Sequence, residues 1–178
     1  MRQEPTARVS RLGRPLALLA ILASTASCDQ WAKQLARVTL HPTRTYSLPG
    51  GILQLRLVEN PGAFLSLGAS LPEPMRSAVF CVGLGLGLAA GFAYLLRTPR
   101  ISARSFAAGA LVLAGGASNL LDRLSRGGRV TDFAIVSVGP LHTGVFNVAD
   151  VAITFGVAAL LWSLRRRPPG GARARVLR

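Results

Sequence analysis

Only seven of the 178 residues are acidic, and their positions are the first chemical feature of the chain. Beyond Glu4, Glu59 and Glu73 there are four aspartates, Asp29, Asp122, Asp132 and Asp150, each at or near the end of a long apolar stretch. An ionisable group there is costly in lipid, so it faces a polar interior and usually serves function. Two such carboxylates brought close together share one proton, because both cannot ionise side by side. A pair in that state hydrolyses amides. The ionised member takes a proton from water and the protonated member polarises the carbonyl, with no metal and no covalent intermediate.

Polar partners stand at helical spacing from these acids. Asn119, Asp122 and Arg123 are i, i+3 and i+4 on one helix end. Asn147, Asp150 and Thr154 form a second stripe, with Val148, Ile153, Val157 and Leu160 supplying apolar surface. Two facing stripes would build a wet pocket, with Asp132 delivered by the segment between them. Three other readings compete. Asp122 can pair with Arg123, Arg126 or Arg129 merely to hold helix ends together. Ser118 and His142 offer a serine-based hydrolase. The acids can also belong to a non-enzymatic scaffold or a proton-coupled carrier.

The elements that must position these residues are membrane helices. Half the chain is hydrophobic, 16% is charged and the mean hydropathy is +0.40. Stretches at roughly 15–36, 75–96, 104–122 and 144–164 are long enough to cross about 30 Å of hydrocarbon. The fold expected is therefore an all-α membrane protein of four transmembrane helices, in one domain over 15–164, with basic tails at 1–14 and 165–178. Between the first two helices, in about 38–74, Leu53, Leu55 and Leu57 alternate with Gln54, Arg56 and Val58, the period of a half-buried strand in a small extracytoplasmic sheet. Gly83, Gly87 and Gly91 predict a close-packing face on the second helix, and the segment from Arg123 to Gly144 is placed at the outer membrane surface.

A net charge of +14 raises nucleic acid as a partner, but the arginines are scattered between apolar segments with no aromatic interleaving, which excludes it. With both termini cytoplasmic, thirteen of the 21 basic residues fall inside, including Arg97, Arg100, Arg104 and the Arg165–Arg167 cluster. Cys28 and Cys81 lie in predicted spans at a spacing that fits neither a metal site nor a disulfide framework. Residues 1–28 imitate a lipoprotein leader, yet three further spans follow, so the segment reads as a retained first helix.

Four blocks, in order, resemble those of lipoprotein signal peptidase (signal peptidase II). They are Asp29, Gln30 and Lys33; Asn60 to Phe64; Gly115 to Asn119 with Asp122, Arg123, Val130, Asp132 and Phe133; and Phe146, Asn147, Ala149 and Asp150. Ser118 stands where the family usually has glycine. The resemblance implies an aspartic endopeptidase that removes the signal peptide from diacylglyceryl-modified prolipoproteins, cutting just before the lipidated cysteine. It implies Asp132 and Asp150 as catalytic residues, with Asp29, Lys33, Asn60, Gly62, Asn119, Asp122, Arg123 and Asn147 binding substrate or supporting the pair. It further implies a β-cradle between helices one and two, no cofactor, a monomer in the bacterial inner membrane among its lipids, a site near the periplasmic face, and inhibition by globomycin.

Overall fold

The computed structural model describes residues 10, 12–62, 68, 70–99 and 101–165. The chain runs α1 (Gly13–Thr39), β1 (Tyr46–Ser47), β2 (Leu53–Asn60), α2 (Glu73–Ser77), a π-helical segment (Ala78–Gly83), α3 (Leu84–Arg97), α4 (Ala103–Ser125), β3 (Val130–Val138), β4 (Leu141–His142) and α5 (Val148–Arg165). The expected second helix is α2, the π segment and α3 in succession, started by Pro74 in its first turn, where a missing N–H costs nothing. Ser102 caps α4, its Oγ accepting from Ser105 N at 3.1 Å. Gly127 and Gly128 end that helix with φ of 58° and 81°, a left-handed turn that tips the chain into β3. Glu73–Arg97 and Val148–Arg165 are long and apolar enough to cross a membrane. The basic tails lie almost wholly outside the described residues.

The bundle is divided lengthwise by chemistry. At one end Leu18, Leu88, Leu95, Ile101, Phe106, Ala110 and Leu113 form an apolar core. At the other end a polar group is buried: Asp29, Lys33, Asn60, Ser118, Asn119, Asp122, Arg123, Thr131, Asp132 and Asn147, with Val130, Ala134 and Ala149 among them. Large apolar side chains including Leu16, Val82, Leu86, Phe155 and Leu161 point outward.

The glycine prediction fails on the second helix. A Cβ at Gly87 would meet nothing within 4 Å and one at Gly83 only Ala78 O at 3.9 Å; of the three, Gly91 alone is packed, against Leu113. The close approach is made by Gly115 and Gly156 between α4 and α5. A Cβ at Gly115 would collide with Ala149 O, and one at Gly156 would lie 2.7 Å from Ala108 O. Such backbone proximity needs glycine at the crossing.

The sheet differs from expectation too. It has four strands in the order β1-β2-β3-β4, antiparallel, so half of it comes from the connector between α4 and α5 rather than from the segment between the first two helices. Phe133 to Val136, in the stretch read as membrane-surface chain, are the middle of β3. A continuous apolar run carries no periodicity that separates a buried strand from an interfacial segment. In β2 the predicted alternation is lost because the register shifts between Leu55 and Val58. Beyond that shift Val58 pairs with Asp132 and Asn60 with Val130, which sets Asn60 beside the aspartate.

Candidate active site

The first turn of α5 and the strand β3 are fastened together. Phe146 N donates to Ala134 O at 2.8 Å, and its carbonyl accepts from Ala134 N at 2.9 Å. Asn147 then caps α5: its Oδ1 accepts from Asp150 N at 2.9 Å, while Asp150 Oδ2 accepts from Asn147 N at 3.2 Å. This is a capping box in which two otherwise orphaned amides satisfy each other's side chains. It also ties Asp150 to the positive end of the helix dipole.

Three asparagines converge on the two carboxylates. Asn147 Nδ2 donates to Asp132 Oδ1 at 2.7 Å, and Asn60 Nδ2 to Asp132 Oδ2 at 2.9 Å. Asn119 Nδ2 donates to Asp150 Oδ1 at 2.9 Å. The oxygen of each amide is held by a different donor: Gly62 N for Asn60, Lys33 Nζ for Asn119 and Asp150 N for Asn147. None of the three can flip its amide without losing both bonds. Burial pushes the Asp132 carboxyl up to about 6, against the lowering effect of the Asn60 bond and helped by the negative charge of Asp150. Asp150 thus lies within electrostatic reach of Asp132, which holds its proton to a higher pH than an ordinary aspartate does.

Behind the pair stands a buried ion cluster. Lys33 Nζ lies 2.7 Å from Asp29 Oδ2 and 3.2 Å from Asp122 Oδ2, and all three side chains are fully buried. Asp29 Oδ1 accepts from Ala149 N at 2.8 Å, and Asp122 Oδ2 from Thr131 N at 3.0 Å. Asp29 therefore anchors α5 and Asp122 anchors β3, with Lys33 neutralising part of their charge and orienting Asn119. Asp122 has Arg126 as a longer partner at 3.9 Å. Arg123 turns the other way, its Nη2 donating to Gly62 O at 2.7 Å and its Nη1 to Asn119 O at 3.1 Å.

A cavity of about 550 Å³ opens on Asp150, Asn119 and Arg123 and continues between Phe80, Ile153 and Val157. A second, of about 240 Å³, reaches Asp150 from the side of Phe146 and Phe155. Asp150 and Thr154 line both, so the carboxylate lies where two apolar clefts meet. The Ser118 and His142 pairing does not form. Ser118 Oγ donates to Asp29 at 2.7 Å in the buried cluster, and His142 is exposed on β4 beside Thr143 O.

Some participants were not assigned from sequence. Gln30 Nε2 donates to Asp122 Oδ1 at 3.0 Å and to Ser118 Oγ at 3.1 Å. Thr131 links Arg37 to Glu59 through its hydroxyl. For Gln30 the signal was its place beside Asp29 in the first block, whereas Thr131 showed none. Ala63 and Phe64, which close the second block, lie outside the described residues.

The sequence model described as Signal peptidase (SPase) II matches residues 21–166. The chain belongs to the signal peptidase II family. A lipoprotein signal peptidase of Moorella thermoacetica is 35% identical over 150 residues, covering 84% of this chain and 92% of that protein. One of Leifsonia xyli is 37% identical over 179 residues, covering 93% and 77%. A bacterial membrane enzyme solved by the in meso method at 2.3 Å shares the fold with a TM-score of 0.75 at 21% identity, over 90% of this chain and 94% of that one. Members of the signal peptidase II family are aspartic peptidases of membranes, and the apolar outer surface of α3 and α5 suits that setting.

Proposed function

We propose that the chain is a membrane aspartic endopeptidase that removes the signal peptide from diacylglyceryl-modified prolipoproteins, hydrolysing the bond just before the lipid-bearing cysteine, with Asp132 and Asp150 as its catalytic pair. The observation that carries this is the convergence of both carboxylates on Asn147, one through its side chain and one through its backbone, with Asp150 lining an apolar cavity. The ionised carboxylate takes a proton from a water molecule as the oxygen bonds to the scissile carbonyl carbon. Its protonated partner gives its proton to the carbonyl oxygen, forming a tetrahedral diol. Collapse of the diol breaks the C–N bond: the departing amine takes a proton from the pair, and a diol hydroxyl returns one to it, restoring the singly protonated state. Asn60, Asn119 and Asn147 hold the carboxylates through this cycle. Preorganised donors of this kind cost no reorganisation during reaction.

The proposed spans are four: α1, the α2–α3 helix, α4 and α5. With 27 and 23 residues, α1 and α4 are about 40 and 35 Å long at 1.5 Å per residue, and Asp29, Lys33 and Asp122 turn into the buried cluster rather than outward. Both termini are cytoplasmic, the site lies near the periplasmic face of the bacterial inner membrane, and the sheet forms the extracytoplasmic cradle. The enzyme acts as a monomer and is inhibited by globomycin. The test is cleavage of a purified diacylglyceryl-modified prolipoprotein by the parent and by Asp132→Asn and Asp150→Asn, followed by gel shift and mass of the released peptide. A parent that leaves the lipidated precursor intact, or cuts the unlipidated form equally well, would sink the reading.

A further inference from the structure

The second long helix turns π-helical for one short stretch, Ala78–Gly83, before α-helical geometry resumes at Leu84. Wide π-helical segments of this kind re-aim side chains and recur at functional sites. Here the re-aimed residue is Phe80, whose ring centroid lies 5.4 Å from the Arg123 guanidinium carbon and which forms one wall of the 550 Å³ cavity with Asp150. Behind the ring is Gly68, with φ of +77°, where a Cβ would stand 2.9 Å from Phe80 Cζ. The ring therefore has a fixed seat, with glycine on one side and a cation on the other.

Arg123 is the group that gains from this. It is buried, and two of its nitrogens are committed to the carbonyls of Asn119 and Gly62. Its Nε has no hydrogen-bond partner among the described residues. A buried charged donor without an acceptor is costly, and the cost is recovered when a ligand supplies one.

We infer that Phe80 is a positioning residue of the peptidase site: held by Gly68 and the π-helical segment, its ring fixes the Arg123 guanidinium so that Nε receives a carbonyl oxygen of the bound substrate. The inference rests on the peptidase reading above. Cation–π attraction sets the plane of the guanidinium, and the two carbonyls set its rotation, so the third donor direction is determined. An aliphatic side chain at position 80 fills the space without defining that plane.

The experiment uses the full chain in detergent with a diacylglyceryl-modified prolipoprotein and reads kcat and KM separately. Phe80→Leu is expected to lower kcat/KM about tenfold, mainly through a higher KM, while Phe80→Tyr stays near the parent. Gly68→Ala, which pushes the ring from its seat, is expected to reproduce the loss and to add little when combined with Phe80→Leu. Phe80→Leu in an Arg123→Lys background is likewise expected to add less than about twofold. If Phe80→Leu does not fold, Gly68→Ala against Phe80→Tyr decides the matter alone. Parent-like kinetics for Phe80→Leu, or full additivity with Arg123→Lys, overturns the inference while leaving the peptidase intact. A parent that cleaves nothing overturns both.

Discussion

Asn147 and Asp150 cap one another across the first turn of α5, each accepting from the other's backbone amide, at 2.9 and 3.2 Å. The same Asn147 side chain donates to Asp132 at 2.7 Å, so one residue fixes the helix start and spans the proposed catalytic pair. A capping interaction, ordinarily a device of stability, becomes the ruler that sets how the two acids face each other.

Removing that ruler is predicted to cost both folding and rate. Asn147→Ala is expected to destabilise the protein by about 1–2 kcal/mol, the usual cost of losing an N-cap. Cleavage of lipidated prolipoprotein should fall further than that loss of stability accounts for, since Asp132 loses a donor at the same time. Thermal unfolding in detergent beside single-turnover cleavage separates the two effects.

Substituting either acid should be far more severe. Asp132→Asn and Asp150→Asn are each expected to reduce kcat by about 10²–10⁴-fold, the range for a lost general acid or base. The double variant should be little worse than either single one, because the pair acts as a unit. Unfolding temperatures near that of the parent would show that chemistry, and not the fold, was removed.

The pH profile follows from Asp132, whose carboxyl holds its proton to about pH 6. Since one of the two acids must be protonated, kcat/KM is expected to decline as pH rises through that value. Asn60 favours the ionised form, so Asn60→Ala should move the alkaline limb upward by about one unit while lowering the maximum. By linkage, a carboxyl whose pKa is raised from 3.8 to about 6 stabilises the fold below pH 3.8, and the contribution is lost as pH climbs to 6. A limb unmoved in Asn60→Ala would contradict the assignment of Asp132 as the titrating group.

Lys33 tests the ion cluster. Lys33→Met leaves Asp29 and Asp122 buried without their shared cation, and breaking a buried pair in this way costs about 3–5 kcal/mol. Combining it with Asp29→Asn should recover part of that loss. Activity should not recover with it, because Asn119 still lacks the ammonium that orients its amide. Unfolding in detergent and cleavage measured on the same samples decide between these outcomes.

The parts of this arrangement legible in sequence are those carried by local spacing. Asp29 and Lys33 are i and i+4, and Asn147 and Asp150 are i and i+3, so their pairing could be written down from a helical wheel. Hydropathy likewise located the four long helices to within a few residues. Contacts that cross the chain were not legible. Asp132 meets Asn60 only because β3 pairs with β2, a register set by tertiary packing and shifted between Leu55 and Val58. Asp122 was offered Arg123, Arg126 or Arg129 by proximity, but its strongest partner is Lys33 on another helix. Phe80 sits in an apolar run where one aromatic looks like any other, and nothing in its neighbours announces a π segment. The glycines of the second helix were the more conspicuous, at regular four-residue intervals, yet the tight crossing belongs to Gly115 and Gly156.

Because β2 comes from the first half of the chain while β3 and α5 come from the second, the proposed catalytic pair is completed only when the last helix has been made. A nascent polypeptide still awaiting its last helix has Asp29, Lys33 and Asn60 in hand, but no Asn147 to join the acids and no Asp150 to complete them. Under the proposed assignment, such a partial chain has no carboxylate pair with which to hydrolyse anything.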